Sequence, residues 1–340
     1  MWQALEFVCG LAIAGATLFD VFASILVPGP ANSPLRVIGR MRRFSLPLWR
    51  RMSRRGSGAR ARLSNSFAPL LFSLAFIGWI VLLDLGLGLM LHAGQAYFSP
   101  HLTDFGYALY VAGAYLLTIG TSEVVPHGAM RVLLLIGALS GFGVITATIT
   151  FILEIQTNLH ERESRVLQLS GLAGQPPSGL GLLETFAALH LRRELGSFFR
   201  GWAEWSTAVL NSHVSFPVLA YFHSVDSESD WVTALELVLD AATIMMTFAE
   251  EDCGSAVFMH RAGSRTSSHL SGLFELSTED PSRIDMQAAE TIVSRLKQAG
   301  YATVELTAPV LQRFQDLRSD YDIRIRTLAE HLGSKQCDLI

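Results

Sequence analysis

"YLLTIGTSEVVPHG", Tyr115–Gly128, begins uncharged and apolar, turns through Thr118-Ile119-Gly120-Thr121-Ser122, and meets its first charge at Glu123 before Val-Val-Pro. Upstream lies an apolar run of thirteen residues, Phe105 to Leu117, which as a helix is too short to cross about 30 Å of hydrocarbon. A run of that length, ended by Thr-Ile-Gly and then Pro126, reads as a re-entrant or interfacial helix followed by a loop. Backbone carbonyls of a loop at membrane depth cannot be satisfied by lipid; water or ions in a lumen can do it.

The surroundings support a membrane setting. Of 340 residues, 50% are hydrophobic and only 16% are charged, against roughly 25% in an ordinary soluble domain, and the mean hydropathy is +0.35. Residues 4–27 ("ALEFVCGLAIAGATLFDVFASILV") are long enough to span, with Asp20 inside them. They lack a basic leader and a small-residue cleavage site, so an uncleaved span (residues 1–28) is expected rather than a signal peptide. A second span covers residues 66–92 with Asp84 as its only charge, and a third covers residues 130–156, uncharged from Val132 to Leu153. Acids at such depth cost about 2.5–3.5 kcal/mol each and call for a role or a partner. An arginine of the following linker is the expected partner of Asp20, and water is expected to reach Asp84 near the outer end of its span.

All ten basic residues ahead of Arg131 are arginines between Arg36 and Arg62, whereas residues 92–130 contain no Lys or Arg. The positive-inside rule then makes the 29–65 linker cytoplasmic and places the N-terminus and the 92–130 loop outside. Leu35, Val37, Ile38, Phe44 and Trp49 interleave with the arginines, as in an amphipathic segment lying on anionic headgroups. From Glu154 the third span is expected to continue as a polar helix, supported by the Glu161/Arg165 pair, until "GLAGQPPSGLG" at 171–181 breaks it. Residues 157–340 read as an acidic, mainly helical cytoplasmic regulatory or assembly domain. In it Trp231 to Ala249, with Glu236 and Asp240 on one face, suits a buried bundle helix better than a fourth span. Trp202, Trp205 and the Phe216–Phe222 segment are candidates for its core or an interface.

Several function classes find no support. Cys9, Cys253 and Cys337 fall in three different regions, giving no disulfide pair or metal site. "SGLGLLE" has Glu184 where a dinucleotide fingerprint needs its last glycine. No nucleophile–base pair, cyclic-nucleotide pattern or nucleic-acid signature is evident, so neither an enzyme nor a cofactor is expected.

The order span, short helix, Thr-x-Gly-x-x-acid, Val-Val-Pro, glycine-containing span resembles the pore domain of the potassium channel superfamily, over roughly residues 66–160. Thr118, Ile119 and Gly120 match the first half of the family signature Thr-Val-Gly-Tyr-Gly-Asp, while Thr121, Ser122 and Glu123 replace Tyr, the second Gly and Asp. The third span, with Phe142-Gly143 followed by Thr146, Ala147 and Thr150, resembles the inner helix of bacterial two-span members. The resemblance implies an all-α membrane protein: three transmembrane helices, a re-entrant pore helix at 104–117, a filter at 118–123, and an inner helix at 130–156. It implies a plasma-membrane cation channel, bacterial by analogy, passing K⁺ or Na⁺. Because one loop encloses no lumen, a cyclic homo-oligomer is required, and the family makes it a homotetramer.

By the same resemblance Thr118, Ile119, Gly120, Thr121 and Ser122 form the filter and Glu123 the outer mouth. Gly137, Gly141, Gly143, Thr146 and Thr150 line the cavity or hinge the inner helix, the glycines being equally suited to close helix packing. The family's second glycine is left-handed, so Ser122 there would cost about 1–2 kcal/mol. Thr121 with Tyr110 and Val111 makes a weaker aromatic cuff than the family's tyrosine, and Ala114 stands where some members carry a glutamate partner for the signature acid. Fewer ion sites in series imply weaker discrimination of K⁺ from Na⁺. The alternative is a non-conducting membrane sensor or scaffold that keeps the channel fold.

Overall fold

A computed structural model of the chain describes residues 1–25, 67–174, 176–222, 230–251, 254–276, 284–334 and 339. The arginine-rich linker, Cys253 and Cys337 lie outside these residues. The described chain is mainly helical and divides into two compact units, Met1–Gln156 and Thr157–Ile340.

The first unit contains α1 (Trp2–Ile25), α2 (Phe67–Ala93), α3 (Phe105–Leu116) and the start of α4 (Ala129–Ser170). Between α3 and its neighbours run β1 (Phe98–Ser99) and β2 (Val125–Pro126), paired antiparallel with Phe98 opposite Pro126. α1, α2 and α4 are each long and apolar enough to cross a membrane, and all three keep large apolar side chains on their outside, among them Leu5, Phe22, Leu74, Val81, Leu135 and Leu139. Lipid accepts such a surface where water does not.

Contacts between the helices fix their directions. Glu6 meets His92 at 2.7 Å, Gly10 lies against Gly86 so closely that an added Cβ would come within 2.5 Å of its carbonyl oxygen, and Trp79 Nε1 donates to Asp20 Oδ2 at 2.8 Å. Positions rise on α1 as they fall on α2, so the two are antiparallel. α4 is antiparallel to α2 as well: Gly94 adjoins Met130, Leu87 adjoins Gly137, and the rings of Phe72 and Phe151 are 5.1 Å apart. The N-terminal end of α1, the C-terminal end of α2 and the N-terminal end of α4 therefore share one side, and residues 94–128 connect there. The core between them is Trp79, Leu83, Leu87, Leu91, Val111, Leu116, Leu134 and Val144.

The second unit takes the end of α4 together with α5 (Gly179–Ala188), α6 (Leu195–Ser215), α7 (Trp231–Phe248), α8 (Gly254–Leu273), α9 (Met286–Gln298), α10 (Ala308–Ser319) and α11 (Asp322–Leu332). The Gly/Pro break after Ser170 ends α4 but does not separate the units, because Thr157–Ser170 packs into the second one. α7 is its axis, buried at every position but Met246. Gly179 lets α5 approach the Asp240–Ala241 backbone and Gly263 lets α8 approach Leu239. The first glycine of "SGLGLLE" thus serves helix packing and the second sits against the Ala173–Gly174 turn, and Ser178 caps α5 by accepting from the Gly181 amide at 3.0 Å.

Asp240, in the polar stripe on α7, is partnered inside the unit through one oxygen, while its Oδ2 has no hydrogen-bond partner among the described residues. Asp240 Oδ1 accepts from the Tyr321 hydroxyl at 2.6 Å and from Arg318 Nε at 3.3 Å, and Arg318 Nη2 also reaches Asp322 at 2.9 Å. Arg162, buried on α4, donates to the carbonyls of Leu219 at 3.0 Å and Phe222 at 2.7 Å and lies over the Trp231 ring. Trp202 and Trp205 are core residues, edge to face at 4.7 Å.

Candidate functional site

α3 starts because Asp104 caps it, its Oδ1 accepting from the Tyr107 amide at 2.9 Å. That amide, with help from the Thr103 hydroxyl, holds the Asp104 carboxyl below the usual carboxylate range. No charged residue follows until Glu123, and Ala108, Val111, Ala112 and Leu116 bury the inward stripe of the helix.

At its other end α3 does not continue; it folds the chain back onto its own last carbonyls. Leu117 N donates to Gly113 O at 2.9 Å and Thr118 N to Tyr115 O at 3.0 Å. Ile119 N and Gly120 N both donate to Ala114 O, at 2.8 and 2.9 Å. Four consecutive amides are thereby spent on the helix end, while the carbonyls of Thr118, Ile119 and Gly120 accept no hydrogen bond among the described residues. Ile119 is 76% exposed, and the space beside Gly120 is open. The loop therefore presents three unpaired carbonyls beyond the negative end of a helix dipole, an arrangement whose potential favours cations.

The backbone differs from the family pattern in where it is left-handed. Thr118 has φ 61° and Gly120 has φ 70°, whereas Ser122 is not left-handed. The conformational cost expected at Ser122 falls instead on Thr118, because the chain must reverse at once to return its amides to Ala114 and Tyr115. After Gly120 the chain is free of that constraint and takes a local turn, in which Thr121 Oγ1 accepts from the Glu123 amide at 3.2 Å.

Glu123 is exposed, and its Oε2 accepts from the Tyr107 hydroxyl at 3.0 Å. Tyr107 stacks on Tyr110 with ring centroids 6.0 Å apart, while Val111 is fully buried. Of the two positions read as a cuff, one is a surface ring in a tyrosine pair and the other is core. Tyr107 is the site residue that the sequence reading passes over. Its signal is positional: it lies three residues after the capping Asp104 and three before Tyr110, on the first turn of α3.

Gly137 and Gly141 are contact glycines. A Cβ on Gly141 would stand 2.0 Å from Leu116 O, and one on Gly137 would stand 2.6 Å from Leu87 Cδ2. Only Gly143 of the three has nothing within 4 Å. Thr146 and Thr150 are exposed on the same face of α4 as Gly143, and Thr150 Oγ1 donates to Thr146 O at 3.0 Å. Among the described residues no group of three or more acidic, His or Cys side chains could hold a metal ion.

Neither a family model nor a solved structure matches the chain. It is similar to the uncharacterized membrane protein YdjJ of Bacillus subtilis (strain 168), at 23% identity over 250 residues, covering 70% of this chain and 68% of that protein. That likeness and the long apolar helices agree that the chain is a membrane protein.

Proposed function

We propose that the chain is one subunit of a homotetrameric pore-loop cation channel of the plasma membrane, passing K⁺ or Na⁺ down their gradients. The observation that carries this reading is the set of amides from Leu117 to Gly120 tied back to α3, which leaves the Thr118, Ile119 and Gly120 carbonyls for a permeant ion. An ion would shed water against these carbonyls and the Thr118 hydroxyl, with Glu123 concentrating cations at the mouth. Thr146 and Thr150 would face the lumen. In this reading α1, α2 and α4 are the spans, the N-terminus and residues 94–128 lie outside, and the second unit, with α7 as its core helix, is cytoplasmic. The Arg36–Arg62 linker would rest on anionic headgroups.

A second reading, a non-conducting sensor with a channel-like fold, has a specific observation in its favour. Thr121 is turned onto Glu123 N and Ser122 is not left-handed, so the alternation of Thr118 and Gly120 stops at Gly120. Flux through purified protein in liposomes under opposed K⁺ and Na⁺ gradients separates the readings. A reversal potential near the K⁺ limit means that the inner carbonyls suffice for selectivity, and a current reversing near zero means a non-selective cation pore. Absence of current both in the whole chain and after deletion of residues 171–340 sinks the channel reading.

A further inference from the structure

We propose that Asp84 is a positioning residue for the Thr118–Gly120 loop, acting through Gly113. The proposal rests on the channel reading for what the loop does, but the contact is independent of it.

α2 and α3 run antiparallel with three contacts one helical turn apart. At the first, the His92 and Phe105 rings meet edge to face at 5.8 Å. One turn on, the Leu109 side chain fills the space over Gly88, where an added Cβ would come within 2.6 Å of Leu109 Cδ2. One turn further, the Asp84 carboxyl fills the space over Gly113, where an added Cβ would lie 3.3 Å from Oδ1, 3.7 Å from Cγ and 3.9 Å from Oδ2. Each helix thus offers a glycine to a side chain of the other, and both carboxyl oxygens of Asp84 face the α3 backbone.

Apolar packing explains Leu109 but not an acid in the equivalent place, since a leucine or methionine would fill it without the cost of a carboxyl at membrane depth. Asp84 Oδ1 is buried with no hydrogen-bond partner among the described residues, although the residue as a whole is only half-buried. Among the described residues, no neighbouring element brings a cation to it. The titratable groups of α3 are Tyr107, Tyr110 and Tyr115, α4 has none between Arg131 and Glu154, and on α1 Glu6 meets His92 while Asp20 accepts from Trp79.

What the carboxyl touches is the turn from which the loop hangs. Gly113 O receives the Leu117 amide, and the next carbonyl, Ala114 O, receives those of Ile119 and Gly120. Any shift of this turn moves the carbonyls of the loop with it, and selectivity depends on the placement and field of those carbonyls. Asp84 sets that placement by its volume and its polar face.

The test compares Asp84→Asn, Asp84→Leu, Gly113→Ala and the double variant Asp84→Ala/Gly113→Ala in the full chain, at equal amounts of folded protein. The K⁺/Na⁺ permeability ratio is read from the reversal potential. In parallel, Ile119→Cys in a background with Cys9, Cys253 and Cys337 changed to Ser reports the loop by its rate of modification with a thiosulfonate. Asp84→Asn is expected to behave as the wild type. Asp84→Leu and Gly113→Ala are expected to change the ratio and the modification rate roughly threefold or more, with the double variant recovering most of the Gly113→Ala change. If neither the wild type nor the chain without residues 171–340 carries current, the channel reading fails, and the thiol rates alone decide on Asp84. Unchanged rates and ratios in Asp84→Leu and Gly113→Ala, or effects that combine independently in the double variant, overturn the proposal.

Discussion

Thr118 bears a strain that glycine would relieve. A non-glycine residue at φ 61° costs about 1–2 kcal/mol, while the extra freedom of glycine in the unfolded chain costs about 0.4–1 kcal/mol. Thr118→Gly is therefore expected to leave thermal stability unchanged or slightly raised, and Ser122→Gly, at a residue that is not left-handed, to lower it by about 0.5–1 kcal/mol. Melting both variants in detergent checks this ordering, which is the reverse of what the family signature implies. Beside the loop, the Tyr107 hydroxyl and the Glu123 carboxylate are one unit. Tyr107→Phe and Glu123→Gln should then be non-additive in a double-mutant cycle of the same melts.

At the scale of elements, the glycines of α4 divide into two kinds that sequence alone treats alike. Gly141 meets the carbonyl that ends α3, and Gly143 meets nothing. A methyl at 141 must push α4 off the end of α3, so Gly141→Ala is expected to cost about 3 kcal/mol or more. Gly143→Ala should gain about 0.5–1 kcal/mol from helix propensity. Equal and small effects in both melts would show that the 141 contact is not a constraint. The α1–α2 pair owes its closeness to Gly10 and Gly86 and its register to the Glu6–His92 and Asp20–Trp79 contacts at its two ends. The periodicity of α1 contains none of this pairing.

For the molecule as a whole, acid is expected to open the second unit through His213. Burial, and then the Arg162 charge beside it, depress its pKa from 6.5 to about 3. Its Nδ1 donates to Val209 O at 2.7 Å, leaving Nε2 to accept from Arg162 at 3.3 Å, which requires the neutral ring. The unfolded chain takes up a proton below about pH 6.5 that the folded chain refuses. The contribution is thus whole above that pH and falls by up to about 1.4 kcal/mol per unit as the pH drops toward 3. Calorimetry of the full chain between pH 7.5 and 4.5 should show that slope, and His213→Gln should flatten it. An equal slope in the variant would assign the acid sensitivity elsewhere. Arg162→Met should remove several kcal/mol from the same transition, because it leaves the Leu219 and Phe222 carbonyls buried without their donor.

The sequence by itself determined the membrane setting, the long apolar helices, the short helix before Thr118 and the apolar helix from Trp231. These follow from hydropathy, length and breakers, which are local properties of the chain. It also located the turn at Thr118–Ser122, because Gly120 and Pro126 bound what a helix can do. Only the tertiary structure decided which glycines are contacts, that Tyr107 holds Glu123, that Asp84 faces Gly113, and that the left-handed residue without a glycine is Thr118 rather than Ser122. The physical reason is that each depends on partners more than a turn away or on hydrogen bonds returning to an earlier carbonyl. Residue type and spacing carry the first kind of information and are silent on the second.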